Sequence, residues 1–299
     1  MVKEIQRKIL VAVDGSEGAL AAVRYVSKTP SFEEMKVVLF TVYGKIPEYY
    51  WDLEKGGSTA WRINEVKAWE VGQKRTIEEY MEKAKKILWR AGFSKGSVEV
   101  KIHQKEKGFA RDIVREAKRG YSAVVVGRKG MSKLRGLSLG SISTKLLEKT
   151  DFTTLVVVGR HPQTGAVLLA LDGSENSMRT VDYVGAMLGG SHFEVELIHA
   201  FRGGKEVYLM EAQERIASVF VKAKSRLMRS GFESNQITNK MITGAVSRAS
   251  AIVEEAERGG YGTIVVGRRG LSKVQDFFMG RVSSKVVQLA KREAVWVVS

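Results

Sequence analysis

Ala123–Ser143 reads AVVVGRKGMSKLRGLSLGSIS. Ala123 to Gly127 is a short, continuous apolar run of the kind a buried strand needs, and the polar Arg128-Lys129-Gly130 that follows ends it in a glycine-bounded turn. The chain reaches a further glycine at Gly140, and Gly140-Ser141-Ile142-Ser143 opens the apolar-periodic segment TKLLEKT. Three glycines and two serines thus stand where a strand hands over to a helix. Glycine lets a backbone approach an anion closely, and the first N–H groups of a helix, at the positive end of its dipole, point outward toward one. The stretch has the form of a phosphate-binding turn.

The same grammar returns 140 residues later. Thr263–Ser283 reads TIVVGRRGLSKVQDFFMGRVS, so Gly127, Gly130 and Gly140 are answered by Gly267, Gly270 and Gly280. Nearer the start, ILVAVDGSE (Ile9–Glu17) is answered by LLALDGSE (Leu168–Glu175) at an offset of 158, which sets Asp172 on Asp14. The chain is a tandem duplication, and the drop in offset gives the first copy about eighteen extra residues between its second strand and the late motif.

Each copy resembles a universal stress protein domain of the UspA type, whose nucleotide-binding subgroup carries G-2x-G-9x-G-(S/T). The first copy fits throughout at Gly127, Gly130, Gly140 and Ser141; the second fits at the glycines but carries Arg281 in place of the hydroxyl residue. The resemblance implies an α/β fold made of two tandem open parallel five-stranded sheets with helices on both faces, Rossmann-like, each in strand order 3-2-1-4-5. It also implies pairing of the copies through their last strands as an internal pseudo-dimer. The expected division is domain 1 at residues 1–160, a linker at 161–165 and domain 2 at 166–299.

Length and composition agree with two globular domains. The chain has 299 residues, of which 44% are hydrophobic, and no cysteine. No apolar run approaches the roughly 20 residues needed to cross a membrane, and no leader pattern opens the chain, so a cytoplasmic location is expected. The formal charge is +16; residues 1–161 carry 31 Lys and Arg against 19 Asp and Glu, and the remainder 18 against 14. A basic balance favours polyanionic partners, but the excess is scattered along helical segments such as KRTIEEYMEKAKKILWR, as on a solvated face, which disfavours a nucleic-acid footprint.

The strand–helix–strand order, beginning at Ile9–Val13 and Val37–Val42, argues a parallel sheet with right-handed crossovers. Ligands of such sheets bind beyond the strands' carboxyl ends, where Asp14, Val42 and Gly127 all fall. Residues 45–73 are the first copy's additional material and hold Tyr49, Tyr50, Trp51, Trp61 and Trp69. They read either as a helical elaboration packed on the core or as a lid or interface pad.

By resemblance, the first nucleotide site comprises Ala12, Asp14, Val42, Gly127, Arg128, Gly130, Gly140, Ser141, Ile142 and Ser143. Asp14 and Val42 would meet the adenosine end, Gly127, Arg128 and Gly130 the ribose and phosphate path, and Ser141 and Ser143, with the N–H groups of 140–143, the phosphates. The second set is Asp172, Ala200, Gly267, Arg268, Gly270, Gly280, Arg281, Val282 and Ser283, where Arg281 either pairs with phosphate or fills its space. The expected ligand is ATP or a related adenine nucleotide, with Mg²⁺ a companion of the phosphates. Catalysis finds little support: there is no Walker lysine, no GxGxxG, and the four histidines show no metal-ligand spacing. The expected role is nucleotide-dependent regulation in stress, with at most slow ATP hydrolysis and with a homodimer or another protein as partner; the alternatives are a scaffold that binds no nucleotide and, ranked third, a nucleic-acid-associated protein.

Overall fold

The computed structural model describes residues 7–44, 59–130, 139–160, 162, 165–202, 206–270 and 279–299. The first half runs β1 (Lys8–Ala12), α1 (Glu17–Ser27), β2 (Lys36–Tyr43), α2 (Thr59–Arg90), β3 (Val98–Gln104), α3 (Phe109–Ala117), β4 (Ala123–Gly127), α4 (Ser141–Lys149) and β5 (Thr154–Val158). The second repeats this as β6 (Ala166–Ala170), α5 (Glu175–Leu188), β7 (Glu194–Ala200), α6 (Glu206–Arg229), β8 (Ile237–Ile242), α7 (Arg248–Gly259), β9 (Thr263–Gly267), α8 (Arg281–Leu289) and β10 (Ala294–Val298).

Within each half the strands lie parallel in the expected order, but the two five-stranded sheets are one. The order across the molecule is β3-β2-β1-β4-β5-β10-β9-β6-β7-β8. The join is antiparallel, with Ala294 opposite Val158, Trp296 opposite Val156 and Val297 opposite Leu155. β10 is wholly apolar, β5 is apolar after Thr154, and both are wholly buried, so each would be an unprotected sheet edge alone, and their pairing removes both edges at once. The expectation of two separate sheets is corrected by this shared ladder.

Two apolar layers sandwich the sheet. One side of the strands, including Ile9, Val11, Val125, Val156 and Trp296, packs with α1, α2, α5 and α6; the alternate residues, including Leu10, Val124, Val157 and Val295, pack with α3, α4, α7 and α8. Across the join, the Tyr25 hydroxyl accepts a hydrogen bond from Trp296 Nε1 at 2.8 Å and lies 2.7 Å from Thr263 Oγ1. Tyr183, the repeat of Tyr25, sets its ring edge-on to Trp296 with centroids 5.8 Å apart and donates to the Ser122 carbonyl at 3.1 Å. Both polar tips are satisfied, as buried tyrosines require.

α2 is longer than the amphipathic stretch beginning at Thr76 suggests. It starts at Thr59 and runs 32 residues, so part of the aromatic insertion continues the helix, with Trp69 exposed. Residues 45–58, with Tyr49, Tyr50 and Trp51, lie outside the described residues, as do the described helix's side chains at 59–67, including Trp61. The strand pairings also refine the repeat: Val98 stands beside Val37 as Ile237 stands beside Val195, an offset of 139 through α3 and α7. Gly259, at the end of α7, is the additional residue that restores 140 before β9: Gly260, at φ 71°, answers Gly120, at φ 81°.

Candidate functional site

The carboxyl ends of β1, β2 and β4 open on one cleft between α1, α3 and α4. Its cavity volume is about 60 Å³, and its lining includes Ala12, Asp14, Val42, Gly127, Gly130, Ile142 and Ser143 from the sequence-predicted set. Phe40, Phe109, Ile113 and Lys129 also line it. The lining is mostly apolar, with polar groups from Asp14, Ser16, Lys129 and Ser143, a mixture usual in small-molecule sites.

Local chemistry explains why β1 ends where it does. The Asp14 carboxylate accepts from the Ser16 N–H at 3.0 Å, and the Ser16 hydroxyl accepts from Ala19 N–H at 3.1 Å, capping α1. Between them Gly15 takes φ 81°, open to glycine and costly for other residues. The other Asp14 oxygen faces Gly130: a Cβ there would lie 2.4 Å from Oδ2. Gly130 is therefore a glycine because a carboxylate rests against it, a constraint that holds with or without a ligand. Asp172 and Gly270 repeat the arrangement, with 2.3 Å in place of 2.4 Å.

Gly127 has a different reason. A Cβ on it would fall 2.3 Å from the Gly18 carbonyl, and one on Gly18 would fall 2.0 Å from the Lys129 carbonyl. Two glycines let the first turn of α1 cross the turn after β4 at backbone contact. Gly18 went unnoticed in the sequence because its partner is distant in the chain; the second half carries Asn176 there, and its crossing is looser, with a Gly267 Cβ 3.4 Å from the Asn176 carbonyl.

Two of the expected cradle groups are otherwise engaged. The Gly140 N–H donates to the Arg128 carbonyl at 2.9 Å. The Ser143 hydroxyl donates to the Gly127 carbonyl at 2.9 Å, a bond repeated between Ser283 and Gly267 at 2.6 Å. What the start of α4 presents is therefore the N–H groups of Ser141, Ile142 and Ser143, which precede its first intrahelical bond, Thr144 N–H to the Gly140 carbonyl at 3.0 Å, together with the exposed Ser141 side chain.

Arg128 departs furthest from its expected place. It is 6% exposed, and its guanidinium turns away from the cleft, across the join, onto the end of α8. Nη1 donates to the carbonyls of Val287 at 2.6 Å and Ala290 at 2.5 Å, and Nη2 to that of Gln288. Arg268 returns the contact: Nη1 donates to the Thr150 carbonyl at 3.0 Å and Nη2 to that of Leu147, at the end of α4. A planar cation with forked donors satisfies the last carbonyls of a helix and its negative dipole end together. Burial lowers the Arg128 pKa to about 10, so it stays charged at neutral pH. The cation lining the first cleft is Lys129, one residue on.

The second cleft has the same frame with other contents. Ala200 replaces Val42, and Arg281 replaces Ser141 at the first position of α8. His199 stands where the first half has Thr41: it is buried, its Nδ1 lies 2.7 Å from the Leu171 carbonyl, and burial pushes its pKa down, so the ring is neutral near pH 7. Thr41 instead shares a 2.7 Å hydrogen bond with the Tyr80 hydroxyl. Among the described residues no group of three or more His, Asp and Glu is placed to hold a metal ion, and no helix is long and apolar enough to cross a membrane.

A duplicated α/β unit with its cleft at the strands' carboxyl ends, its glycines set by an aspartate and a helix start, defines the class. The model of the universal stress protein family matches residues 6–158 and again 164–299, and the chain belongs to that family. A universal stress protein of Mycolicibacterium smegmatis (strain ATCC 700084 / mc(2)155) is 24% identical over 302 residues, covering 94% of each chain. The crystal structure of a universal stress protein from Archaeoglobus fulgidus DSM 4304 superimposes with a TM-score of 0.62 at 20% identity over 98% of both chains, a likeness of fold.

Proposed function

We propose that the first half binds an adenine nucleotide, ATP or a close relative, and that the protein uses the bound state as a regulatory signal in the cytoplasmic stress response rather than as a substrate for rapid turnover. The observation that carries this reading is convergence: Asp14, Val42, Lys129, Gly130 and the opening turn of α4 come from four separate places in the chain and border one cleft. Asp14 and Val42 suit the adenosine end. Lys129 and the N–H groups of 141–143 suit the phosphates, with Mg²⁺ carried by the phosphates themselves. Residues 1–160 and 166–299 act as the two domains, joined by 161–165.

The second half is the weaker site, because Arg281 occupies a place suited to a small hydroxyl and Ala200 offers less apolar surface than Val42. Calorimetry of the purified chain with ATP, with mass spectrometry of any nucleotide released on denaturation, tests both statements. One nucleotide per chain is expected, rising toward two in Arg281→Ser. A chain that binds no adenine nucleotide overturns the proposal, and two matched sites in the wild type overturn the ranking of the halves.

A further inference from the structure

We infer that Phe109 is the stacking platform for the base in the first cleft, and so the residue that makes this site select a ligand with a planar ring. The inference rests on the nucleotide reading above and adds to it a specificity residue outside the glycine–serine motif. Phe109 is the first residue of α3 and lines the cleft together with Ile113, Phe40 and Val42, yet 40% of it is exposed. A large aromatic left 40% exposed on an otherwise apolar wall offers ring surface that a flat ligand can cover. A heterocyclic base is the flat group that fits beside it while its phosphates reach Lys129 and α4, and base–aromatic stacking suits any π face.

The surroundings hold this ring in place. Gly108 before it takes φ 126°, and the buried Asp112 carboxylate, one turn along α3, accepts from the N–H groups of Glu106 at 2.9 Å and of Lys107 and Gly108 at 3.3 Å each. The turn that delivers Phe109 is thus pinned by three hydrogen bonds. Lys105 Nζ lies 5.6 Å from the ring centroid, an added cation beside the aromatic face. In the second half the structurally equivalent residue, first in α7, is Arg248, and Ala251 stands for Asp112, so neither the ring nor its fastening is repeated.

The test compares ligands with and without a base in Phe109→Ala, Phe109→Leu and Phe109→Trp, using calorimetry with ATP and with inorganic tripolyphosphate. Phe109→Ala and Phe109→Leu are expected to weaken ATP binding about tenfold to a hundredfold and to leave tripolyphosphate binding unchanged, while Phe109→Trp retains ATP affinity and shows tryptophan quenching on binding. Equal ATP affinity in wild type, Phe109→Ala and Phe109→Leu overturns the platform with the nucleotide reading intact. Equal loss of ATP and tripolyphosphate makes Phe109 a support for the cleft as a whole and also overturns it. A wild type that binds neither ligand overturns the nucleotide reading itself, and this inference with it.

Discussion

The two halves of this protein share a frame and differ in what fills it. Asp14 on Gly130 and Asp172 on Gly270, Ser143 to Gly127 and Ser283 to Gly267, Arg128 on α8 and Arg268 on α4 are paired feature for feature. At the cleft the pairs part company: Phe109 against Arg248, Val42 against Ala200, Ser141 against Arg281, Gly18 against Asn176 and Asp112 against Ala251. The repeated contacts hold loops, helix ends and the shared sheet together. The residues that changed are those a small molecule would meet, or those that position them. The motif's glycines are thus chiefly a structural device in both halves, and the clefts differ at the motif's last position, Ser141 against Arg281, and at residues outside the motif.

The largest effect is expected at the crossed arginines. Arg128→Met keeps the length of the side chain and removes its donors, which orphans the carbonyls of Val287 and Ala290 in buried contacts and that of Gln288 in a half-buried one, at the end of α8. At about 1–3 kcal/mol for each unsatisfied buried acceptor, partly recovered by relaxation, a loss on the order of 3 kcal/mol is expected. Urea unfolding followed by far-ultraviolet circular dichroism measures it. Arg128→Lys should recover little, because one ammonium cannot reproduce a planar fork on three acceptors. A loss under about 1 kcal/mol for Arg128→Met would mean that the ladder between β5 and β10 suffices without these contacts.

Next in size is the contact both halves keep. Gly130→Ala places a methyl group 2.4 Å from the Asp14 carboxylate, so the aspartate or the turn must move, at a cost of about 1–3 kcal/mol. Adding Asp14→Ala removes the obstacle, and the double variant should recover most of that stability; additive losses would show that the glycine answers to something else. ATP titration of the same double variant separates the two demands on Gly130. Its stability can return while its binding does not, since the nucleotide reading uses Asp14 as well as the open backbone.

Much of this was legible in the sequence, and the misses have common causes. The duplication, the parallel direction of the strands and the convergence of Asp14, Val42 and Gly127 follow from apolar runs, turn residues and strand direction, while the strand order within each half follows from the family resemblance. Arg128 was misread because its partners are 159 to 162 residues away and are backbone carbonyls, which leave no trace in side-chain identity. Gly18 was passed over because the atom that excludes its Cβ belongs to Lys129. The single sheet was half visible: pairing of the last strands was expected from resemblance, but its consequence, one continuous ladder of ten strands, was not drawn. Phe109 escaped because an aromatic at the start of an amphipathic helix reads as core, and only its exposure beside the cleft separates it from core.

The smallest effect, and the one that bears most directly on the difference between the clefts, belongs to Asp112. Burial alone would raise the pKa of this carboxyl, but the N–H groups of Glu106, Lys107 and Gly108 together hold it below the usual carboxylate value. A carboxylate whose pKa is lower folded than unfolded contributes stability that is present above its unfolded pKa, near 4, and is lost as the pH falls through the folded value. Asp112→Asn keeps the shape but gives up the charge-assisted part of three hydrogen bonds, for which about 1 kcal/mol at pH 7 is expected. The gap between wild type and variant in urea titrations should therefore be flat from pH 7 to about 5 and close below pH 4. The equivalent change in the second half, Ala251→Asn, touches no such turn and should show no matching pH dependence. A gap for Asp112→Asn that persists unchanged at pH 3 would mean that the side chain's packing, and not its charge, fastens the turn that carries Phe109.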